Sequence, residues 1–299
     1  MENKTTEVEL NIDLDDVPED LMDDILRGEY SKIIELERSI AAMNERNIAD
    51  DGMDGEEHLR WDRTIIGSDD RLPVDDRYAS EYPYCAIGYL QSGCTAALIG
   101  PNHALTAAHC VYSRRWKRYK INLDLWLGQT CNSPGRRMRY ANKVFVPRGY
   151  ITSGSAEYDY ALVLYQDMSG CFLSIGYSDT WYNYGFDLIG YPSDKYSSRL
   201  GHCTYHSMFY SGCHYSYKTG SYRFRYRCDS VGGNSGSPIM SQKAGDQTGK
   251  RIVYGVHTNG AGLTTYNYGA RITKSRFCWI MDWMRDNGFR ATCEKMSCC

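Results

Sequence analysis

All twelve cysteines of this 299-residue chain fall after residue 84. They form no CxxC pair and no CxxC…HxxxH zinc pattern. An even number spread along a long segment reads as disulfides, and hence as an oxidising compartment. The alternative is a set of reduced, buried thiols. Around the cysteines the chain consists of short runs rich in Tyr, Val, Ile and Thr, broken by Gly, Asn, Pro and Ser. Such runs are Ala86–Leu90, Ala96–Ile99, Val144–Val146, Ala161–Tyr165, Asp187–Ile189 and Ile252–Val256. That texture predicts an all-β antiparallel domain, barrel or sandwich. One helix is predicted from about Lys274 to Asp286, striped by Phe277, Ile280, Met281 and Met284 and ended by Asn287-Gly288.

The charge divides at the same place. Residues 1–63 hold 20 Asp/Glu and 7 Lys/Arg, a net of −13, and residues 64–299 hold 17 and 27, a net of +10. The step falls at Arg63-Thr64, which marks 1–63 as an acidic prosegment and Arg63/Thr64 as a processing junction. Within 1–63, Asp20 to about Arg46 has helical spacing, with Leu21, Ile25, Ile33, Ile34, Leu36 and Ile40 on one stripe. Asp50–Glu57 reads as a flexible acidic linker. An acidic segment tethered to a basic domain docks on it electrostatically or stays a solvated tail. No apolar run reaches the roughly 18 residues that would span a membrane. The opening residues lack a basic and an apolar region, so they are not read as a signal peptide. The cysteines nevertheless favour secretion.

Three segments carry chemistry. In Leu105-Thr106-Ala107-Ala108-His109-Cys110, small residues flank a histidine next to a cysteine. A hairpin would bring Cys94 to Cys110 and brace the histidine loop. In Tyr158-Asp159-Tyr160-Ala161-Leu162, an acid opens an apolar strand, which is costly without a partner such as a histidine N–H. In Gly232-Gly233-Asn234-Ser235-Gly236-Ser237-Pro238, glycines let the backbone approach a substrate and aim successive N–H groups at one point. Each segment alone is weak. The order His, Asp, Ser at intervals of 50 and 76 residues is specific to one arrangement of a nucleophilic triad.

With these residues the chain resembles the chymotrypsin-fold serine proteases over about residues 64–287. Thr64-Ile65-Ile66-Gly67-Ser68-Asp69-Asp70-Arg71, Gly190-Tyr191-Pro192-Ser193-Asp194-Lys195, Asp229–Pro238 and Gly255-Val256-His257-Thr258-Asn259-Gly260 are similar to segments of the bacterial glutamyl endopeptidases. The wealth of Tyr and Cys departs from those bacterial members. The resemblance implies two six-stranded antiparallel β-barrels, about 64–170 and 171–287, a C-terminal helix, and a partly helical prosegment. It implies Ser235 as nucleophile, His109 as general base and acid, Asp159 as the group orienting His109, and the Gly233 and Ser235 N–H groups as the oxyanion hole. Thr258 and Gly260 would bond an extended substrate.

Two residues compete for the primary specificity pocket. His257, helped by Ser230, matches the histidine that meets a substrate carboxylate in glutamyl endopeptidases. Asp229 lies where trypsin-like enzymes hold the acid for Arg or Lys, although some bacterial glutamyl endopeptidases carry an acid there too. Cleavage after acidic residues, after basic residues, or after neither stays open. Asn234 stands where trypsin-like enzymes have the Asp that pairs with a freed N-terminus, so that activation mechanism does not apply.

The remaining features are read more plainly. His103, in a Gly-Pro-Asn-His turn, is expected at the surface. His202, His206 and His214 near Cys203 and Cys213 are spaced too irregularly for a metal site and suggest a disulfide hairpin. The basic aromatic run Tyr215–Arg227 reads as a solvated hairpin rather than a nucleic-acid surface. The expected protein is a secreted, monomeric serine endopeptidase made as a zymogen. It would act on protein or peptide substrates and bind its own prosegment. It would have no metal or other cofactor, no nucleic-acid partner and no membrane partner. The rival readings are an inactive binding protein on a protease fold and an esterase.

Overall fold

A computed structural model describes residues 6–9, 65–178, 185–195, 203–219, 221–242, 250–260 and 266–289. The expected helix from Asp20 to Arg46, the acidic linker and the Arg63-Thr64 junction lie outside them. In chain order the strands begin with β1 (Thr6–Glu9) and β2 (Leu72–Pro73). Next come β3 (Ile87–Leu90), β4 (Cys94–Leu98) and β5 (His103–Thr106), a separate hairpin of β6 (Tyr112–Ser113) and β7 (Arg118–Tyr119), then β8 (Leu125–Leu127), β9 (Arg136–Met138), β10 (Ala141–Val146) and β11 (Ala161–Tyr165). The second half holds β12 (Ser174–Ile175), β13 (Phe186–Gly190), β14 (Phe209–Thr219), β15 (Arg223–Arg227), β16 (Pro238–Ser241), β17 (Ile252–Gly260) and β18 (Asn267–Arg271). Helix α1 spans Arg148–Ser153 and α2 spans Lys274–Asp286.

The strands form two curled, largely antiparallel sheets, the chymotrypsin-like architecture that the sequence motifs implied. The first runs β1-β10-β11-β5-β4-β3-β8-β9 and the second β12-β17-β16-β13-β14-β15-β18, with β2 added on β14 and β17 also pairing β18. Each is longer than six strands because short edge strands extend it. One of these is β1, which pairs antiparallel with β10 in the register Thr6 to Val146 and Glu9 to Lys143.

Strands β4, β5 and β11 are buried along their whole length. Their sequences, CTAAL, HALT and ALVLY, show no polar alternation because neither face meets water. The side chains of Phe277, Ile280, Met281, Trp283 and Met284 bury one stripe of α2 against the same core. Its N-cap is Thr273, whose hydroxyl accepts the Arg276 N–H at 3.4 Å. A smaller cluster of Phe186, Leu188, Phe224, Tyr226 and Ile239 fills the second barrel.

Four disulfides are described: Cys85–Cys171, Cys94–Cys110, Cys131–Cys203 and Cys213–Cys228. Cys94 and Cys110 pair as read. Cys203 leaves its own neighbourhood for Cys131, between β8 and β9, and so joins the two halves of the molecule. Cys213 instead closes the β14–β15 hairpin with Cys228. No described helix is long and apolar enough to cross a membrane.

His103 is not at the surface. It is 1% exposed, opens β5 beneath α2, and meets Trp283 and Phe289 edge-on at ring distances of 5.6 and 5.7 Å. Neither of its ring nitrogens has a hydrogen-bond partner. Burial disfavours the imidazolium and pushes the His103 pKa down to about 4. The unfolded chain titrates near 6.5 and so binds this proton first. Stability is therefore full above about pH 6.5 and falls as the pH drops toward 4, by roughly 3 kcal/mol at the limit. Thermal melts of the wild type and His103→Phe from pH 7 to pH 4 test this. The variant should lose most of that acid sensitivity, and parallel curves would refute the assignment.

Candidate active site

The sheet order brings the three motif segments together from the two halves. β11 and β5 pair with Ala161 opposite Thr106. Asp159 therefore sits just before one strand and His109 just after its neighbour. The His109 Nδ1 lies 2.8 Å from one Asp159 carboxylate oxygen, and the His109 backbone N–H donates to the other at 3.0 Å. This two-point clamp fixes both the imidazole plane and the main chain that carries it. The Asp159 carboxylate is buried, so its partners supply what water would otherwise supply.

The turn that delivers Asp159 is held by Arg276 of α2. That guanidinium is buried and donates to the carbonyls of Glu157 at 2.5 Å, Arg271 at 2.8 Å and Tyr222 at 3.0 Å. The rings of Tyr222, Tyr160 and Tyr158 stand 4.6, 5.0 and 5.6 Å from its central carbon. Among the described residues no carboxylate forms an ion pair with it, and carbonyls and ring faces take that place.

Ser235 comes from the second half, on the loop before β16. Its hydroxyl donates to the Thr258 carbonyl at 3.2 Å. Among the described hydrogen bonds, neither the Gly233 nor the Ser235 backbone N–H donates to a protein acceptor. Gly233 has φ +94° and Gly236 φ +88°. A Cβ on Gly233 would lie 2.3 Å from the Tyr191 carbonyl, and one on Gly236 2.0 Å from that of Thr95. Glycine is thus required at both places by backbone conformation and by space.

Thr95, which the sequence reading passed over, ties this loop to the first half. Its N–H donates to the Ser235 carbonyl at 2.8 Å, and its hydroxyl donates to the Gly233 carbonyl at 2.9 Å and accepts the Tyr191 N–H at 3.0 Å. Its own carbonyl accepts the Thr106 hydroxyl at 2.8 Å. The only signal in the sequence was its place beside Cys94.

His257 and Ser230 meet in the second half. The His257 Nε2 is 2.8 Å from the Ser230 hydroxyl, and Nδ1 is in short contact with the Tyr226 hydroxyl. Tyr226 is fully buried, which pushes its phenol well above the usual range. It stays a neutral O–H beside the ring. The Asn234 side-chain amide reaches the same Ser230 oxygen at 3.4 Å. Thr258 and Gly260 lie on β17.

Asp229 is 2% exposed and is engaged elsewhere. Its two oxygens accept the N–H groups of Ile66 at 2.7 Å and Asp70 at 3.0 Å. The segment just after the charge step is therefore strapped onto it. Arg71 completes the strap, bonding Asp69 at 2.7 Å and Asp194 at 2.6 Å through its Nη2. Hydrogen bonds from Arg71 and Lys195 hold the Asp69 carboxyl well below its usual range. Burial and the neighbouring Asp229 raise that of Asp70.

Among the described residues one cluster has metal-ligand geometry, formed by Cys94, His109 and Cys110. Both sulfurs are spent in a disulfide, so neither is the thiolate that a metal would need.

A model of the trypsin family matches residues 74–284. The chain is 32% identical over 237 residues to a glutamyl endopeptidase of Bacillus licheniformis, covering 74% of this chain and 69% of that protein. It is 23% identical over 294 residues to mouse inactive serine protease 35, covering 77% and 70%. A solved structure of a Glu endopeptidase in complex with MPD superimposes with a TM-score of 0.62 at 27% identity, covering 74% of this chain and 99% of that one.

Two substitutions test the geometry. Thr95→Val leaves the buried Tyr191 N–H unpaired and should lower stability by about 2 kcal/mol in urea unfolding. Asp229→Asn weakens two charge-assisted bonds, so hydrogen exchange at the Ile66 and Asp70 amides should quicken by about tenfold. Unchanged protection would mean that the strap is held elsewhere.

Proposed function

The chain belongs to the trypsin family of serine proteases, and from that premise we propose that it is a serine endopeptidase acting through Ser235. The observation that carries the reading is the clamp of His109 by both oxygens of Asp159, with Ser235 on a glycine-framed loop that Thr95 ties to the same half of the molecule. Asp159 holds His109 with its Nδ1 protonated, so Nε2 is left to accept a proton. His109 takes the Ser235 proton as the hydroxyl attacks the scissile carbonyl, and returns it to the leaving amine. The Gly233 and Ser235 N–H groups receive the developing oxyanion, at roughly 3 kcal/mol per donor. Water then repeats the sequence on the acyl-enzyme. Ser235 must turn from the Thr258 carbonyl for this to begin.

Acidic side chains are the proposed residue ahead of the scissile bond. A hydrogen-bond chain supports this: with His257 in its Nε2–H tautomer, the Tyr226 hydroxyl, which also lies 3.3 Å from the Tyr268 carbonyl, donates to Nδ1, and Nε2–H donates to Ser230, whose own proton is then free for a carboxylate. Asp229 would repel an acidic substrate if it faced the pocket, but its oxygens are taken by Ile66 and Asp70. The same engagement argues against a role in binding Arg or Lys. Backbone bonds from Thr258 and Gly260 would align the substrate.

Residues 1–63 are proposed as a prosegment removed at Arg63-Thr64, with secretion favoured by the disulfides. Since Asn234 cannot pair with a new amino group as an acid would, activation would proceed through release of the acidic segment and movement of the strap. The second reading, a protease fold without activity, has a precedent in the mouse relative.

A fluorophosphonate probe separates the two. It should label Ser235 in the processed protein and fail in His109→Ala, and absence of labelling would defeat the enzyme reading. Asp159→Asn should lower kcat by about four orders of magnitude. A peptide library cleaved by the mature form should favour Glu ahead of the cut, and His257→Ala should erase that preference. Full activity of an uncleaved Arg63→Gln protein would sink the zymogen reading.

A further inference from the structure

Arg223, at the start of β15, is a half-buried cation for which no described carboxylate lies within ion-pair distance. Its Nη2 donates to the Asn259 side-chain oxygen at 3.3 Å, and its central carbon lies 4.7 Å from the centre of the Tyr268 ring. Its Nε is buried with no hydrogen-bond partner. Asp159 and Glu157 are close enough to act on it electrostatically. Asp159 is committed to His109 and Glu157 does not reach it. A guanidinium has five N–H donors in a rigid fork that suits a carboxylate. Partly removed from water and left without an anion, it carries an unmet demand.

Asn259 lies between Thr258 and Gly260, the two residues proposed to bond an extended substrate. Side chains of a strand paired there alternate between the two faces. The residue entering the primary pocket would point one way and the second and fourth residues ahead of the cut the other, on the side of Asn259, which a register shift in β17 takes off the alternation that His257 follows. We infer that Arg223 is a specificity-determining residue that binds an acidic side chain at the second or fourth position ahead of the scissile bond. The substrate supplies the missing anion, and Tyr268 and Asn259 orient the fork. The inference rests on the serine endopeptidase reading of the cleft, but not on which residue fills the primary pocket.

The test compares peptides that differ only by Glu or Gln at the second, third and fourth positions, built in three series with Glu, Arg or Leu ahead of the cut. In the wild-type mature enzyme, Glu should raise kcat/KM over Gln by about tenfold at the second or fourth position and not at the third. Raising salt should shrink that ratio. In Arg223→Gln the ratio should fall to about one. The same pairs are also titrated against the Ser235→Ala protein by fluorescence polarisation. Failure of the catalytic reading then leaves a binding ratio to measure, and an Arg223-dependent Glu preference there sustains the inference. A Glu/Gln ratio of one in the wild type would overturn it. So would a ratio that survives Arg223→Gln, or an equal loss on Glu and Gln peptides, which would mean that Arg223 merely supports Asn259.

Discussion

Thr95 is where the two halves of the molecule become one site. Ser235 arrives on a loop of the second half, and His109 and Asp159 arrive at the ends of neighbouring strands of the first. A displacement of about 1 Å between them would take the three side chains out of the geometry that the proposed reaction needs. Thr95 spans the gap with its N–H and its hydroxyl, gripping the carbonyls of Ser235 and Gly233 on one side and the amide of Tyr191 on the other. Its own carbonyl is held by Thr106, three residues before the histidine. Cys94 next to it is bonded to Cys110, next to His109. The two loops that carry His109 and Ser235 thus share one short piece of β4. The glycine at 236 follows from the same approach, since a Cβ there would lie 2.0 Å from the Thr95 carbonyl oxygen, and the glycine at 233 follows from the closeness of the Tyr191 carbonyl.

Much of this was legible in the sequence, and the reason is local. Strand runs, the α2 stripe and the triad segments are each encoded in a few consecutive residues, and the order of the three segments restricts the topology that joins them. What escaped depends on residues far apart. Asp229 reads equally as a pocket acid or a hydrogen-bonded loop acid, and the Ile66 amide on it comes from 163 positions away. His103 sits in a turn-like string, yet α2, about 180 residues later, covers it completely. Cys203 looked toward its neighbour Cys213 and pairs with Cys131 instead. In each case the local pattern was sound and a long-range packing partner decided the environment.

The abundance of tyrosine, an oddity of composition at 26 residues, gains a physical use in these surroundings. Arg276 is enclosed by three tyrosine rings and Arg223 is covered by a fourth. Ring faces hold a guanidinium in place without the charge of a carboxylate, which would add a second negative group near Asp159. Tyr226 does something different, presenting a hydroxyl to His257 from a position too buried to ionise.

Of the four described disulfides, the two that close the longest loops overlap in sequence, since Cys131 lies inside the loop closed by Cys85 and Cys171, and Cys203 lies outside it. A single break anywhere between Cys85 and Cys203 therefore leaves the two fragments covalently joined. A nick anywhere across that span would therefore produce a cut chain that still travels, and is still held in register, as one molecule.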